Sequence, residues 1–123
     1  MRAYKLSKRA ARVGFDFEYA SQSADKVAEE LAEVRAAAAH DCSGPDGGAA
    51  GAVFEEVGDL LFAAANLARK LDVDAEAALR AANAKFERRF RRMESLAIER
   101  GEVFSELNLA AQEILWQTVK RGE

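Results

Sequence analysis

The sequence has very few of the residues that cross-link small domains or interrupt helices. Its 123 residues include one cysteine, Cys42, one histidine, His40, and one proline. A single cysteine excludes an internal disulfide and a cluster of thiolate metal ligands. No run near twenty apolar residues is present, and no apolar leader follows Met1, so we expect a cytoplasmic protein without a membrane span.

The chain also lacks a positive net charge. Eighteen Lys and Arg residues against twenty-one Asp and Glu residues give a formal charge of −3, and the pI is about 5.3. Such a chain has no overall positive field to hold a nucleic-acid polymer. Hydrophobic residues make up 50% and charged residues 32% of the sequence, which is typical of a folded domain. We therefore expect residues 1–123 to form one domain with its own core.

Alternation of apolar and polar residues with a period of two is absent, whereas helical periodicity extends along most of the chain. Five helices are predicted, a short N-terminal one and four main ones: about 3–13, 24–40, 52–71, 75–100 and 108–121. Ser23 and Asp74 are predicted to cap the second and fourth helices, and Gly14 to end the first. Residues 41–51 contain four glycines and are predicted to be a linker. The fold class is therefore all-α and resembles a four-helix bundle.

The third predicted helix carries acids where a buried helix would carry apolar residues. Its sequence VFEEVGDLLFAAANLARK is apolar around most of its circumference. We expect one side of this helix to pack within the chain and the other against a second subunit. A narrow polar stripe of Glu56, Asp59, Ala63 and Asn66 runs between these sides. Buried carboxylates require a cavity or a compensating cation.

The second predicted helix provides a matching pair of acids. Glu30 and Glu33 are three residues apart, as are Glu56 and Asp59, so the members of each pair project side by side. On antiparallel helices packed roughly 8–10 Å apart, the two pairs would converge. Four carboxylates without histidine or cysteine favour Mg²⁺, with Mn²⁺ as a substitute. The alternative interpretation is an acidic solvated face with neighbours such as Lys26 as ion-pair partners.

The segment KFERRFRRME places apolar side chains at core spacing on the fourth helix and basic side chains beside them. Lys85 and Arg89 are four residues apart and therefore lie on one face. Two interpretations of that face remain open: a phosphate-binding surface, or an ordinary solvated surface containing a Glu87–Arg91 ion pair. Trp116 has a similar ambiguity, since it could stack on a base or anchor the core or a dimer.

These motifs resemble the MazG nucleoside triphosphate pyrophosphohydrolases. The mark of that family is E-E-x-x-E, a variable spacer and E-x-x-D, which this chain supplies in EELAE and EEVGD. The segments NLAR, KFERRF and LWQTVKR extend the similarity over essentially the whole chain. The opening KLSKRAARVGFDF resembles the start of the catalytic, C-terminal repeat of two-repeat members. Only one repeat is present, so the chain is expected to be a single-repeat member or a fragment.

The resemblance implies a tight homodimer, with a tetramer possible, and Mg²⁺-dependent hydrolysis of nucleoside triphosphates to monophosphate and pyrophosphate in nucleotide-pool cleaning. It assigns metal binding to Glu30, Glu33, Glu56 and Asp59, and the orientation or deprotonation of water to Glu29. Substrate binding is implied for six further residues: Asn66, Asn83, Lys85, Arg89, Trp116 and Lys120. Narrower activity on dUTP, dCTP or phosphoribosyl-ATP is an alternative, as is a non-catalytic helical dimerisation module.

Overall fold

A computed structural model describes residues 1–39 and 48–123. His40, Cys42 and most of the predicted linker lie outside the described residues. The described residues form five α-helices and one short 3₁₀ helix: α1 Arg2–Ala11, α2 Ala20–Ala38, α3 Gly48–Lys70, α4 Ala75–Glu99, the 3₁₀ helix Phe104–Glu106 and α5 Leu109–Arg121. No strand occurs in these two ranges, which confirms the all-α fold class.

Most helix boundaries follow local rules, with two exceptions, the starts of α2 and α3. Helix α3 was predicted to begin at residue 52 but begins at Gly48, inside the predicted linker 41–51. Gly14 has a φ of +90° after α1, a conformation that favours glycine, and the helix ends there as predicted. The prediction that Ser23 caps the second helix is wrong, because α2 begins at Ala20, four residues before the predicted start. There the backbone N–H of Tyr19 donates to the side-chain oxygen of Gln22 over 3.0 Å and closes the first turn. Ser23 lies inside the helix and is only 1% exposed.

Residues Met1–Glu76 form one compact unit, in which α2 packs along α3 and α1 also contacts α3. The α2–α3 pair is antiparallel. Asn66, near the end of α3, donates to the hydroxyl of Ser23 near the start of α2 over 3.5 Å. Glu56, in the first half of α3, lies close to Glu30 beyond the middle of α2. This pairing brings the acids of the two helices together.

Ion pairs attach the segment between α1 and α2 to the end of α3. The side chains of Arg69 and Lys70 both contact the carboxylate of Asp16, Lys70 Nζ at 3.3 Å. Lys70 also donates to the carbonyl of Phe17 over 2.6 Å, and Arg69 Nε donates to Asn66 Oδ1 over 3.1 Å. The hydrogen bond from Arg69 is the largest of the effects that lower the pKa of Asp16 below its ordinary value.

Residues Ala77–Glu123 form a second compact unit, which contains most of α4, the 3₁₀ helix and α5. Its core is a cluster of four buried residues, Met93, Ala97, Leu115 and Val119. Four partly buried side chains pack against this cluster: Leu96, Phe104, Leu107 and Trp116. The helices α4 and α5 begin directly after Asp74 and Asn108, as predicted, and Asn108 Oδ1 accepts a hydrogen bond from the backbone N–H of Ala111.

Several large apolar side chains of α3 are exposed in the single chain, whereas two of its alanines are buried. Phe54 is 84% and Leu61 65% exposed, but Ala63 and Ala65 are buried. The polar stripe of α3 therefore packs on α2, and apolar side chains such as Leu61 are left uncovered. Within the described ranges, no helix combines the length and the hydropathy that crossing a bilayer requires.

Candidate metal and substrate site

Three of the four predicted metal-binding acids meet between α2 and α3. One carboxylate oxygen from each of Glu30, Glu56 and Asp59 lies within 4.8 Å of the other two. Glu56 and Asp59 are one helical turn apart on α3, and the antiparallel packing places Glu30 of α2 opposite them. Glu30 is only 9% exposed, so water compensates little of its charge. We call Glu30, Glu56 and Asp59 the acid cluster.

The spacing of the acid cluster fits a small divalent cation. A Mg²⁺ ion about 2.1 Å from each ligand requires octahedral oxygens about 3 to 4.2 Å apart. The separations within 4.8 Å would reach these values after small side-chain rotations. All three candidate ligands are carboxylates, and no His or Cys of the described residues joins the group. Hard oxygen ligands of this kind suit Mg²⁺ or Mn²⁺.

Negative charge is concentrated around Glu56. Its pKa is raised above the ordinary value of 4.5, first by burial and then by the charges of Asp59, Glu33, Glu30 and Glu55. The folded-state pKa thus lies above the unfolded-state value, and the ionised form is the one that folding disfavours. The metal-free protein should therefore lose stability as the pH rises from 4.5 through the raised value. A cation bound to the cluster would oppose this loss.

Two predicted acids, Glu29 and Glu33, are not part of the acid cluster. Both are exposed, and Glu33 acts on Glu56 through its charge. Glu29 pairs with Lys26, whose Nζ lies 3.2 Å from Glu29 and 3.1 Å from Glu30. Lys26 is therefore a positive charge in direct contact with the acid cluster.

A cavity of 270 Å³ lies against α3, beginning one helical turn after Asp59. Side chains of α1 line it together with Phe15 and Phe17 of the following segment and Phe62 and Asn66 of α3. Phe62 and Asn66 follow Asp59 by three and seven residues and therefore share its face of the helix. Asn66 lies about 10 Å from Asp59 along the helix axis. The acid cluster and the cavity thus occupy one continuous face of α3.

The remaining predicted substrate residues belong to the second unit: Asn83, Lys85, Arg89, Trp116 and Lys120. The structure brings two of them together, since the guanidinium carbon of Arg89 lies 5.6 Å from the centroid of the Trp116 ring. Phe86 packs on the same tryptophan, with ring centroids 5.7 Å apart. The other three side chains are exposed.

Glu123 is a residue of the second unit that sequence reasoning missed. Its carboxylate accepts two hydrogen bonds from Arg89, from Nε over 2.8 Å and from Nη2 over 2.7 Å. This bidentate geometry is that of the strongest arginine–carboxylate pairs. The two residues are 34 positions apart. No helical spacing could therefore have indicated the pair.

Comparisons with known proteins agree with the motifs in the sequence. The MazG nucleotide pyrophosphohydrolase domain matches residues 17–94, which include the acid cluster. The nucleoside triphosphate pyrophosphohydrolase of Escherichia coli K12 is 46% identical over 127 residues, covering 100% of this chain and 45% of that protein. The nucleoside triphosphate pyrophosphohydrolase/pyrophosphatase MazG of Thermotoga maritima is 36% identical over 121 residues, covering 98% and 44%.

This chain spans less than half the length of these curated relatives. A shorter match, 40% identity over 68 residues, relates it to the uncharacterized protein YabN of Bacillus subtilis. The domain match covers more than half of the chain, and the similarity to the Escherichia coli protein extends over all of it. The chain belongs to the MazG nucleotide pyrophosphohydrolase family.

Proposed function

We propose that this chain hydrolyses nucleoside triphosphates to nucleoside monophosphate and pyrophosphate, and that it serves to clean the cytoplasmic nucleotide pool. The observation that carries the proposal is the convergence of three carboxylate oxygens within 4.8 Å, inside the segment that matches the family. The names of the relatives that match nearly the whole chain support the same reaction. Mg²⁺ is the proposed ion, with Mn²⁺ as a substitute, because the ligands are all hard oxygens.

The acid cluster supplies what this reaction requires of the protein. A divalent cation bound there would neutralise phosphate charge and lower the pKa of a bound water. Glu30, Glu56 and Asp59 hold their oxygens on two packed helices, so most of the ligand geometry exists before a substrate arrives. We propose Glu33 as a fourth ligand and Glu29 as the residue that orients or deprotonates the attacking water. The bond broken is the anhydride between the α- and β-phosphates, with water supplying the new oxygen on the α-phosphorus.

The cavity beside Asn66 is the proposed position of the nucleoside. Asn66 at its wall lies about 10 Å along α3 from Asp59, so phosphates at the acid cluster and a base in the cavity could belong to one nucleotide. Phe15, Phe17 and Phe62 offer flat apolar surfaces against which a base can pack. The side-chain amide of Asn66 supplies a polar group at the same wall. This arrangement supports binding of a nucleoside without indicating which base is preferred.

Lys85 and Arg89 are proposed to bind phosphate oxygens, and Asn83, Trp116 and Lys120 to contact the substrate. The similarity of the whole chain to part of a nucleoside triphosphate pyrophosphohydrolase supports these roles. The cation–π contact between Arg89 and Trp116 supports a prepared cationic surface.

A homodimer, or a tetramer made of two dimers, is the proposed assembly. The uncovered apolar side chains of α3, Phe54 and Leu61 among them, support it.

The proposed function is tested by incubating the protein with a panel of ribo- and deoxyribonucleoside triphosphates in Mg²⁺ or Mn²⁺ and identifying the products by mass. We expect monophosphate and pyrophosphate, and we expect Asp59→Asn to abolish turnover while its helix content is unchanged. The matched control is Glu55→Gln, an exposed acid of the same helix outside the acid cluster, which should retain most activity.

Three outcomes would change the assignment. Wild-type pyrophosphate release by Asp59→Asn would exclude Asp59 as a ligand. Turnover confined to dUTP, dCTP or phosphoribosyl-ATP would indicate a narrower enzyme on the same scaffold. Binding without hydrolysis of any triphosphate would indicate a non-catalytic module.

A further inference from the structure

The second unit contains a cationic cavity with a carboxylate of the same chain at its wall. The cavity has a volume of 450 Å³ and lies between α4 and α5. Its lining includes Arg88, Arg89, Arg92 and Glu123. Arg92 already pairs with Glu99 over 3.2 Å, so part of its charge is balanced there. The other two arginines share Glu123 as the nearby anion of the cavity.

Glu123 is surrounded by positive charge from three residues of α4. Its two hydrogen bonds with Arg89 are the largest cause that lowers its pKa below the ordinary value. The charges of Arg89, Arg88 and Lys85 lower the pKa further. The single negative charge of Glu123 thus faces three positive charges, which together could bind a more highly charged anion.

Arg89 differs from the other paired arginines of α4 in how it is held. Its guanidinium carbon lies 5.6 Å from the centroid of the Trp116 ring, and its Nε and Nη2 both donate to Glu123. The Arg89 side chain is 17% exposed, whereas Arg91, paired with Glu87 one turn along the helix, is 75% exposed. A fixed and partly desolvated guanidinium edge binds phosphate in the same bidentate manner as carboxylate. Glu123 therefore occupies hydrogen-bond donors that a phosphate group would use.

We propose that Lys85, Arg88 and Arg89 form a polyphosphate site in which Glu123 is the resident counter-ion, displaced when a polyphosphate binds. The identification of the anion rests on the proposed function, and Arg88 and Glu123 extend the site beyond the residues assigned there. As the competing anion, Glu123 lowers the affinity of the site for a triphosphate chain and equally for pyrophosphate. Its physical effect is to keep product from being retained.

The test is a calorimetric titration of the full chain with inorganic tripolyphosphate and with inorganic pyrophosphate. Divalent cations are removed with a chelator so that the acid cluster takes no part. We expect Glu123→Gln to bind both anions about two- to fivefold more tightly than wild type, the range that loss of a partly exposed ion pair produces. Glu123→Ala should change affinity in the same direction. Glu87→Gln is the matched control, because it removes the same charge from an arginine-paired glutamate on α4, the helix that carries Arg89, and its affinity should be unchanged.

Several results would overturn the proposal. Unchanged or weaker binding by both Glu123 variants, with helix content preserved, would mean that Glu123 does not compete with the anion. An equal increase in anion affinity in Glu87→Gln would show that the effect comes only from the change in net charge. The absence of anion binding by wild type would exclude the site. Hydrolysis plays no part in this titration. A protein that hydrolyses no nucleotide would therefore refute the proposed function without deciding the role of Glu123.

Discussion

Replacing Glu56 by glutamine should stabilise the metal-free protein and greatly reduce its stabilisation by Mg²⁺ or Mn²⁺. Glu56 is the carboxylate whose pKa is raised by burial and by the charges of its acidic neighbours. Glutamine keeps the shape of the side chain and removes the charge, so this repulsion disappears. The same change removes one of the three converging carboxylate ligands. The two effects have opposite signs, which makes the prediction specific to a metal site.

The magnitude follows from the linkage between binding and folding. A cation present at a hundred times its Kd adds about 2.7 kcal/mol to the free energy of unfolding. For a chain of this length, 1 kcal/mol corresponds to roughly 3–6 °C in Tm, so saturating cation should raise the wild-type Tm by roughly 8–15 °C. Mutating residues that only hydrogen-bond to metal ligands weakens metal binding about ten- to a hundredfold. Loss of a ligand itself should therefore weaken binding at least about tenfold. The variant should then keep at most about half of the wild-type stabilisation at the same cation concentration.

The assay is thermal unfolding at pH 7, followed by circular dichroism with chelator and with added cation. Glu55→Gln is the matched control, because it removes the same charge from the neighbouring residue, which lies outside the acid cluster. The control should retain the full cation-induced shift. Equal shifts in wild type and Glu56→Gln, or a metal-free Glu56→Gln protein that melts below wild type, would refute the reasoning.

Two further predictions concern contacts inside each unit, one in the first and one in the second. Arg69 and Lys70 lower the pKa of Asp16 below its ordinary value of 3.8. The ion pairs of Asp16 therefore stabilise the fold above pH 3.8, and this stabilisation is lost as the pH falls through the lowered pKa. Asp16→Asn should therefore reduce stability at pH 7 and flatten the acid limb of the stability curve, and an unchanged limb in chemical unfolding would contradict this. Leu115→Ala should lower the free energy of unfolding by about 2–5 kcal/mol in urea titrations, because the side chain is 2% exposed in the core of the second unit. Ile114→Ala, at a position 62% exposed, should cost much less, and equal losses would show that Leu115 does not anchor that core.

The positions of most helices could be predicted from the sequence because their signals are local. Asp74 and Asn108 directly precede α4 and α5, and Gly14 ends α1, since caps and stops depend on a few adjacent residues. The start of α2 was predicted wrongly for an equally local reason. A contact between Tyr19 and the Gln22 side chain closes an earlier first turn.

The candidate site was predictable in part. The spacing of the acids on each helix indicated two pairs, but Glu30 and Glu33 are equivalent in a periodic pattern. The packing of α2 on α3 separates them, because it buries Glu30 against Glu56 and Asp59 and leaves Glu33 exposed. Periodicity also could not decide which side of α3 faces its own chain.

By itself the sequence determined the all-α class, the acidic faces of two helices and the membership of the family, because each depends on residues a few positions apart or on whole motifs. Only the tertiary structure decided which side chains meet across long separations. Arg69 reaches Asp16 over 53 positions, and Arg89 reaches Glu123 over 34. The physical reason is that such contacts are set by the angle and register at which helices pack, and a helical repeat carries no information about either.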